Sequence, residues 1–262
     1  MRLFSIGLFF LLTNTVLGKT PFRLNTTPVG EGFSYPSGMV FPGLNGAPLV
    51  NAAALTPLEK VTAIQGAFSA TTNSADGTGA FGGLVLASPR AGIAVGVQRS
   101  ELAGNSSLGG FAGLGASFEP MSIGFSLTDS DLDTGFSPKV DLGILVGEGR
   151  NRAGIAVGAV LYDVASAKRL GLGIGYRSPK NYHLEANAIM PNFPNSDSNY
   201  SLSLAGTIYS GAFGLVLRSQ YATLSKTFTH TLGGVLWLGS YFNLIAQYSS
   251  PRKGTLGATL LF

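Results

Sequence analysis

His183 and Glu185 stand two residues apart in Y-H-L-E-A, and Arg177 lies across the turn Ser178-Pro179-Lys180-Asn181 from them. On an extended strand, residues at that spacing share a face. An imidazole beside a carboxylate can move protons or, with a serine nucleophile, cleave an ester. The only other histidine is His230, and neither stands in an evident Ser/His/acid constellation. In D-S-D-L-D-T-G, Asp129, Asp131 and Asp133 have the spacing of a calcium loop, but the glycine comes one place late and position twelve is Val140. A solvated acidic loop is the simpler reading. Asp76, Glu101, Asp163 and Asp197 read likewise as a solvated rim. With Cys 0, thiol catalysis, disulfides, thiolate zinc sites and a lipobox cysteine are excluded. We therefore expect no enzyme, no metal and no cofactor, and we read Arg177, His183, Glu185, Arg218, Gln220, Asn243 and Gln247 as the polar lining of a lumen.

The elements that position them alternate with a period of two. From Lys168 to Ala188, Leu170, Leu172, Ile174, Tyr176, Tyr182, Leu184, Ala186 and Ala188 fall on one face; Gly171, Gly173, Gly175, Arg177, His183, Glu185 and Asn187 fall on the other. Met121, Ile123, Phe125 and Leu127 oppose Ser122, Gly124, Ser126 and Thr128. Val140, Leu142, Ile144 and Val146 oppose Asp141 and Gly143. A soluble sandwich would bury the greasy face, and a transmembrane barrel would turn it to lipid.

Composition and ends favour lipid. Charged residues are 11%, the net charge is +4 and the mean hydropathy is +0.30, a poor composition for an exported soluble domain. No basic cluster accompanies an aromatic platform, so no nucleic acid is expected. Arg2, the apolar run Leu3 to Leu12 and small positions near Val16 and Gly18 read as a secretory signal over residues 1–18. That run is about half the roughly 20 residues a spanning helix needs.

Strand-length pieces follow, set off by turn residues: Leu58–Thr71, Thr78–Ser88, Ala91–Ser100, Ser107–Phe118, Met121–Thr128, Pro138–Gly147, Arg152–Tyr162, Lys168–Arg177, Asn181–Pro191, Asn199–Ser210, Ala212–Ala222, Lys226–Leu238, Tyr241–Ser249 and Lys253–Phe262. About fourteen antiparallel strands, tight turns alternating with longer polar links such as E-L-A-G-N-S-S, predict an up-and-down transmembrane β-barrel over 58–262 in a bacterial outer membrane. Phe118, Tyr176, Tyr182, Tyr209, Phe213, Trp237 and Tyr241 are expected as an interfacial girdle near the tight turns. Leu256, Ala258, Leu260 and the terminal Phe262 share one face of the last strand and resemble the assembly signal that outer-membrane proteins present to the barrel-assembly machinery. Outer-membrane lipids and lipopolysaccharide are the other expected partners.

Residues 19–57 precede the barrel as an N-terminal hatch or periplasmic leader. Their stretch Asn51-Ala52-Ala53-Ala54-Leu55 resembles the Asn-Pro-Ala-Ala-Leu-like hatch of the FadL-type outer-membrane transporters for hydrophobic compounds, with Ala52 in place of proline. The resemblance implies a hatch containing Asn51, Ala53, Ala54 and Leu55 inside a fourteen-stranded barrel, and a small hydrophobic ligand. A general diffusion porin or a structural outer-membrane protein is the alternative. A hatch would pack against lumen glycines such as Gly171, Gly173 and Gly175, while Gly173→Ser is expected to be tolerated better than an arginine on the outer face.

Overall fold

The computed structural model describes residues 39–42, 47, 49–56, 60–71, 78–102, 105–129, 132, 137–148, 153–165, 169–178, 182–190, 200–239, 242–250 and 253–262. The export signal, residues 19–38, Asp76, Asp131, Asp133, Asp197 and Tyr241 lie outside the described residues.

Alternating apolar and small or polar residues give fourteen strands: β1 (Val61–Thr71), β2 (Thr78–Ala87), β3 (Ala91–Leu102), β4 (Asn105–Phe118), β5 (Met121–Asp129), β6 (Lys139–Val146), β7 (Gly154–Tyr162), β8 (Arg169–Arg177), β9 (Tyr182–Met190), β10 (Ser201–Ser210), β11 (Phe213–Ala222), β12 (Thr227–Leu238), β13 (Phe242–Ser249) and β14 (Lys253–Leu261). Each pairs antiparallel with its neighbours in sequence, and β1 pairs with β14 from Ala63↔Leu261 to Thr71↔Lys253, closing the barrel. Beyond the last strand residue, Phe262 N–H still donates to Thr62 O at 2.8 Å, so the terminal residue completes the seam. Closure leaves no open sheet edge, the condition for strands to stand in hydrocarbon. No helix among the described residues is long and apolar enough to cross a membrane.

Burial is inverted relative to a soluble protein. Exposed residues include Leu204 at 67%, Ile155 at 59% and Leu172, Ile174 and Leu184, all on the outer wall. Buried residues include Asn243, Gln247, Gln65, Glu185 and Thr207, all facing inward. The outer band is thus the apolar surface of a transmembrane barrel, and the polar alternates line its inside.

Turn chemistry follows the strand ends. Gly211 (φ 59) and Gly239 (φ 72) occupy the left-handed region that tight hairpin turns require. At the opposite end Asp163 (φ 50) donates its N–H to Asp141 Oδ1 at 2.8 Å, which fixes the exit from β7.

Two expectations change. The link E-L-A-G-N-S-S is not a long loop: β3 and β4 run up to Leu102 and Asn105, and Arg99 Nε donates to Ser106 Oγ at 3.0 Å across them. Pairing satisfies that backbone better than an open loop would. The aromatic girdle is also smaller. Phe118, Tyr176, Tyr182 and Phe213 stand on the outer alternation, but Trp237 (3% exposed) packs inward with Val235 and Ile245, and the Tyr209 ring faces His183 at 6.3 Å. Both follow the period of their strands, which outweighs the preference of an isolated aromatic for an interface.

Candidate functional site in the barrel lumen

Of the residues before the barrel, 39–41, 47 and 49–56 lie against its inward wall. Room for them comes from glycine. In β8, Gly171, Gly173 and Gly175 face inward, and in the paired strand β9 Asn187 stands opposite Gly173, Glu185 opposite Gly175 and His183 opposite Arg177. A bare strand therefore lies beside a comb of polar side chains. Met39, Val40 and Phe41 lie over the bare strand: a Cβ on Gly171 would sit 2.6 Å from Met39 Cε, on Gly173 2.8 Å from Val40 Cγ2 and on Gly175 2.5 Å from Phe41 Cε2. The added atoms of Gly173→Ser would meet Asn187 Oδ1, Val40 and Met39 rather than open space, so its cost falls on the seating of residues 39–41.

The comb takes the backbone of the same three residues. Met39 N–H donates to Asn187 Oδ1 at 3.2 Å, and the N–H groups of Val40 and Phe41 both donate to Glu185 Oε2 at 3.1 Å. Arg177 Cζ stands 4.9 Å from the centre of the Phe41 ring, with the His183 ring 5.0 Å away on a tilted plane. Arg177 and Arg218 are close enough to act electrostatically on Glu185.

A second set of contacts holds residues 47 and 49–56 towards the tight-turn end. Asn51 caps the 3-10 turn Ala52–Ala54 by accepting from Ala53 N–H at 3.2 Å, and its Nδ2 donates to Met39 O at 3.0 Å and Ile144 O at 3.4 Å. One side chain thus ties the turn, the preceding segment and the wall together. Ala53 lies against Gly124, Asn51 against Gly143, and Ala52 and Leu55 against Gly115, each too close for a Cβ. Thr56 Oγ1 and Ser122 Oγ share a hydrogen bond of 3.0 Å, and Tyr162 OH donates to Val50 O at 3.0 Å. Leu55 joins Val61, Val85, Val216, Trp237 and Ile245 in an apolar cluster that fills this end of the lumen; Ala54 is half-buried at its margin. Sequence alternation alone read the inner face as glycine and polar groups and missed this apolar inner set. The signal was present in β12, where Val235 and Trp237 continue the phase of Thr231 and Gly233.

On the remaining wall, Gln220 Nε2 donates to Ser201 Oγ at 2.7 Å, Thr231 and Ser249 share a 2.7 Å bond, and Asn243 and Gln247 are buried two turns of the alternation apart on β13. Arg218 stands half-buried between Ala205 of β10 and Thr231 of β12. At the end of the chain, Leu256, Leu260 and Phe262 are exposed on the outer face, and Ala258 is half-buried in the same phase. Asp129 Oδ2 accepts Ser137 N–H at 2.7 Å, and no group of three metal-binding side chains occurs among the described residues.

Ser219 and His230 meet across β11 and β12 at 2.9 Å, a pairing not apparent from the sequence. They lie on the outer face, where His230 stacks on Phe228. Among the described residues His230 has no acid partner to fix its tautomer, so the pair lacks the third group of a hydrolytic triad.

No protein-family model matches the chain, and no curated protein matches it. Solved structures do. A mutant of Rh. blastica porin superposes with a TM-score of 0.50 at 8% identity, over 77% of this chain and 100% of that one. A second mutant of the same porin gives 0.49 at 8% identity over 77% and 100%. The first likeness establishes a porin-like barrel fold and, at that identity, nothing finer.

Proposed function

We propose that this protein is a transport barrel of the bacterial outer membrane, of the porin class, in which residues 39–56 restrict the passage of small solutes. The carrying observation is the burial of the lumen-facing side chains: an open diffusion channel wets its wall, whereas Thr207, Asn243, Thr259 and Ser122 are 0% exposed. The solved structure with the similar barrel is a porin, which supports the class.

Transport of small hydrophobic compounds, as the FadL-type resemblance implies, is the second reading. It is favoured by the apolar cluster around Leu55, Trp237 and Ile245 along the lumen. Planar-bilayer recording tests both. The intact chain should pass ions poorly, and deletion of residues 19–56 behind the export signal should open a stable channel. Equal conductance of the two forms would leave a general diffusion porin, and binding of small apolar compounds by the intact form would favour the second reading.

A further inference from the structure

We infer that the β8–β9 wall is a binding site for short apolar peptides and comparable amides, and that Met39–Phe41 is its resident occupant; this rests on the reading of residues 39–56 as a displaceable plug. Three consecutive backbone N–H groups are received by side chains, not by a strand edge: Met39 by Asn187 Oδ1, Val40 and Phe41 by Glu185 Oε2. Recognition of that kind reads the peptide unit and leaves the side chains to shape. Shape is supplied by the glycine strip, on which the side chains of all three residues rest.

A further atom points to a ligand richer in acceptors than the plug: Asn187 Nδ2 is buried on the same wall with no hydrogen-bond partner, its residue only 6% exposed. Asn187 Nδ2 is a donor, so it is met by a carbonyl. The ligand class follows from what the wall would lose. Withdrawal of the plug takes two N–H donors from the buried Glu185 carboxyl, and a buried acceptor that loses donors costs free energy unless a ligand replaces them. A hydrocarbon replaces neither donor. An amine supplies donors but no acceptor for Asn187. A peptide supplies both, with apolar side chains for Gly171, Gly173 and Gly175.

The chain has Cys 0, so a single introduced thiol reports on the plug without background. Val40→Cys, in the full-length protein, is buried while the plug is seated and should react with a maleimide only slowly. Acetyl-Met-Val-Phe-amide should accelerate the reaction about tenfold or more, and the same peptide N-methylated at Val and Phe should not, since each lost hydrogen bond to a charged acceptor is worth about a factor of ten. Glu185→Leu should abolish the peptide's effect in protein that still runs heat-modifiably. Met39→Cys, equally buried over the glycine strip, serves if Val40→Cys does not fold. No acceleration, or equal acceleration by the methylated peptide, overturns the site. Thiol reaction at the heat-unfolded rate without any peptide overturns the plug reading instead.

Discussion

Gly124 is where a single methyl group tests whether residues 39–56 are seated. It faces the lumen from β5, between the buried Ser122 and Ser126, and the 3-10 turn lies directly on it. A Cβ there would overlap Ala53 N and the carbonyl carbon of Ala52 and would stand 2.8 Å from Ala53 Cα. These are backbone atoms of a turn capped by Asn51, so no rotamer change makes room. Either the turn lifts or β5 bends, and β5 is held on both sides by β4 and β6. Overpacking of this kind costs about 1–3 kcal/mol. Transferred to the equilibrium between seated and displaced plug, that is roughly a 5- to 150-fold shift towards the displaced form. Gly82→Ala is the matched control: the same change in β2 on the outer alternation, where the nearest atom to a new Cβ is Gln65 O at 4.0 Å. In planar bilayers the open-time fraction of Gly124→Ala should rise by that factor, with Gly82→Ala indistinguishable from the parent. A folded, heat-modifiable Gly124→Ala as quiet as the parent would refute the reasoning.

Leu172→Arg, which replaces an exposed residue of the outer face packed beside Ala159 and Ala188, should lower barrel stability by about 2–4 kcal/mol, read by urea titration of the heat-modifiable form in lipid. Gly173→Ser should leave that midpoint nearer the parent's yet raise conductance, because its added atoms press on Met39 and Val40. The intact protein should show no turnover of a fluorogenic fatty-acid ester, and His183→Ala and His230→Ala should change nothing in that assay. Hydrolysis by the parent that is lost in His230→Ala would promote the Ser219–His230 pair to a catalytic one.

The fold was legible because its physics is local and periodic. Leu172 and Gly173 declare their faces by alternation alone, and Gly211 and Gly239 declare their turns. Strand ends were less legible: nothing in E-L-A-G-N-S-S distinguishes a loop from two strands that keep pairing to Leu102 and Asn105. The lumen was legible only as a lining. Glu185 reads as an inward carboxylate from its neighbours in β9, but its partners Val40 and Phe41 are 145 and 144 residues away. No periodicity carries that information. Trp237 was misplaced for a related reason: its type suggests an interface, whereas its phase with Val235 puts it against the apolar cluster that includes Leu55, itself part of the distant segment.

The two halves of the wall divide the work. The glycines that a plug atom covers, Gly92, Gly115, Gly124, Gly143, Gly158, Gly171, Gly173 and Gly175, all belong to β3–β8. The polar inward residues of β10–β14, among them Thr207, Thr231, Gln247 and Thr255, are buried on the other half of the wall. A plug seated in a glycine-lined trough on one side is guided by backbone approach and can slide or lift without exchanging side-chain partners along most of its length. Its polar ties are Glu185 and Asn187 to residues 39–41, Tyr162 to Val50, Thr56 to Ser122, and Asn51 to both Met39 and Ile144. Release of residues 39–41 breaks the Asn51–Met39 bond as well as those to Glu185 and Asn187, while the Asn51–Leu55 turn keeps its contacts with Gly115, Gly124 and Gly143. A solute that competes for the β8–β9 comb must therefore replace the hydrogen bonds made by the Met39, Val40 and Phe41 N–H groups and displace three side chains that are each only 2% exposed.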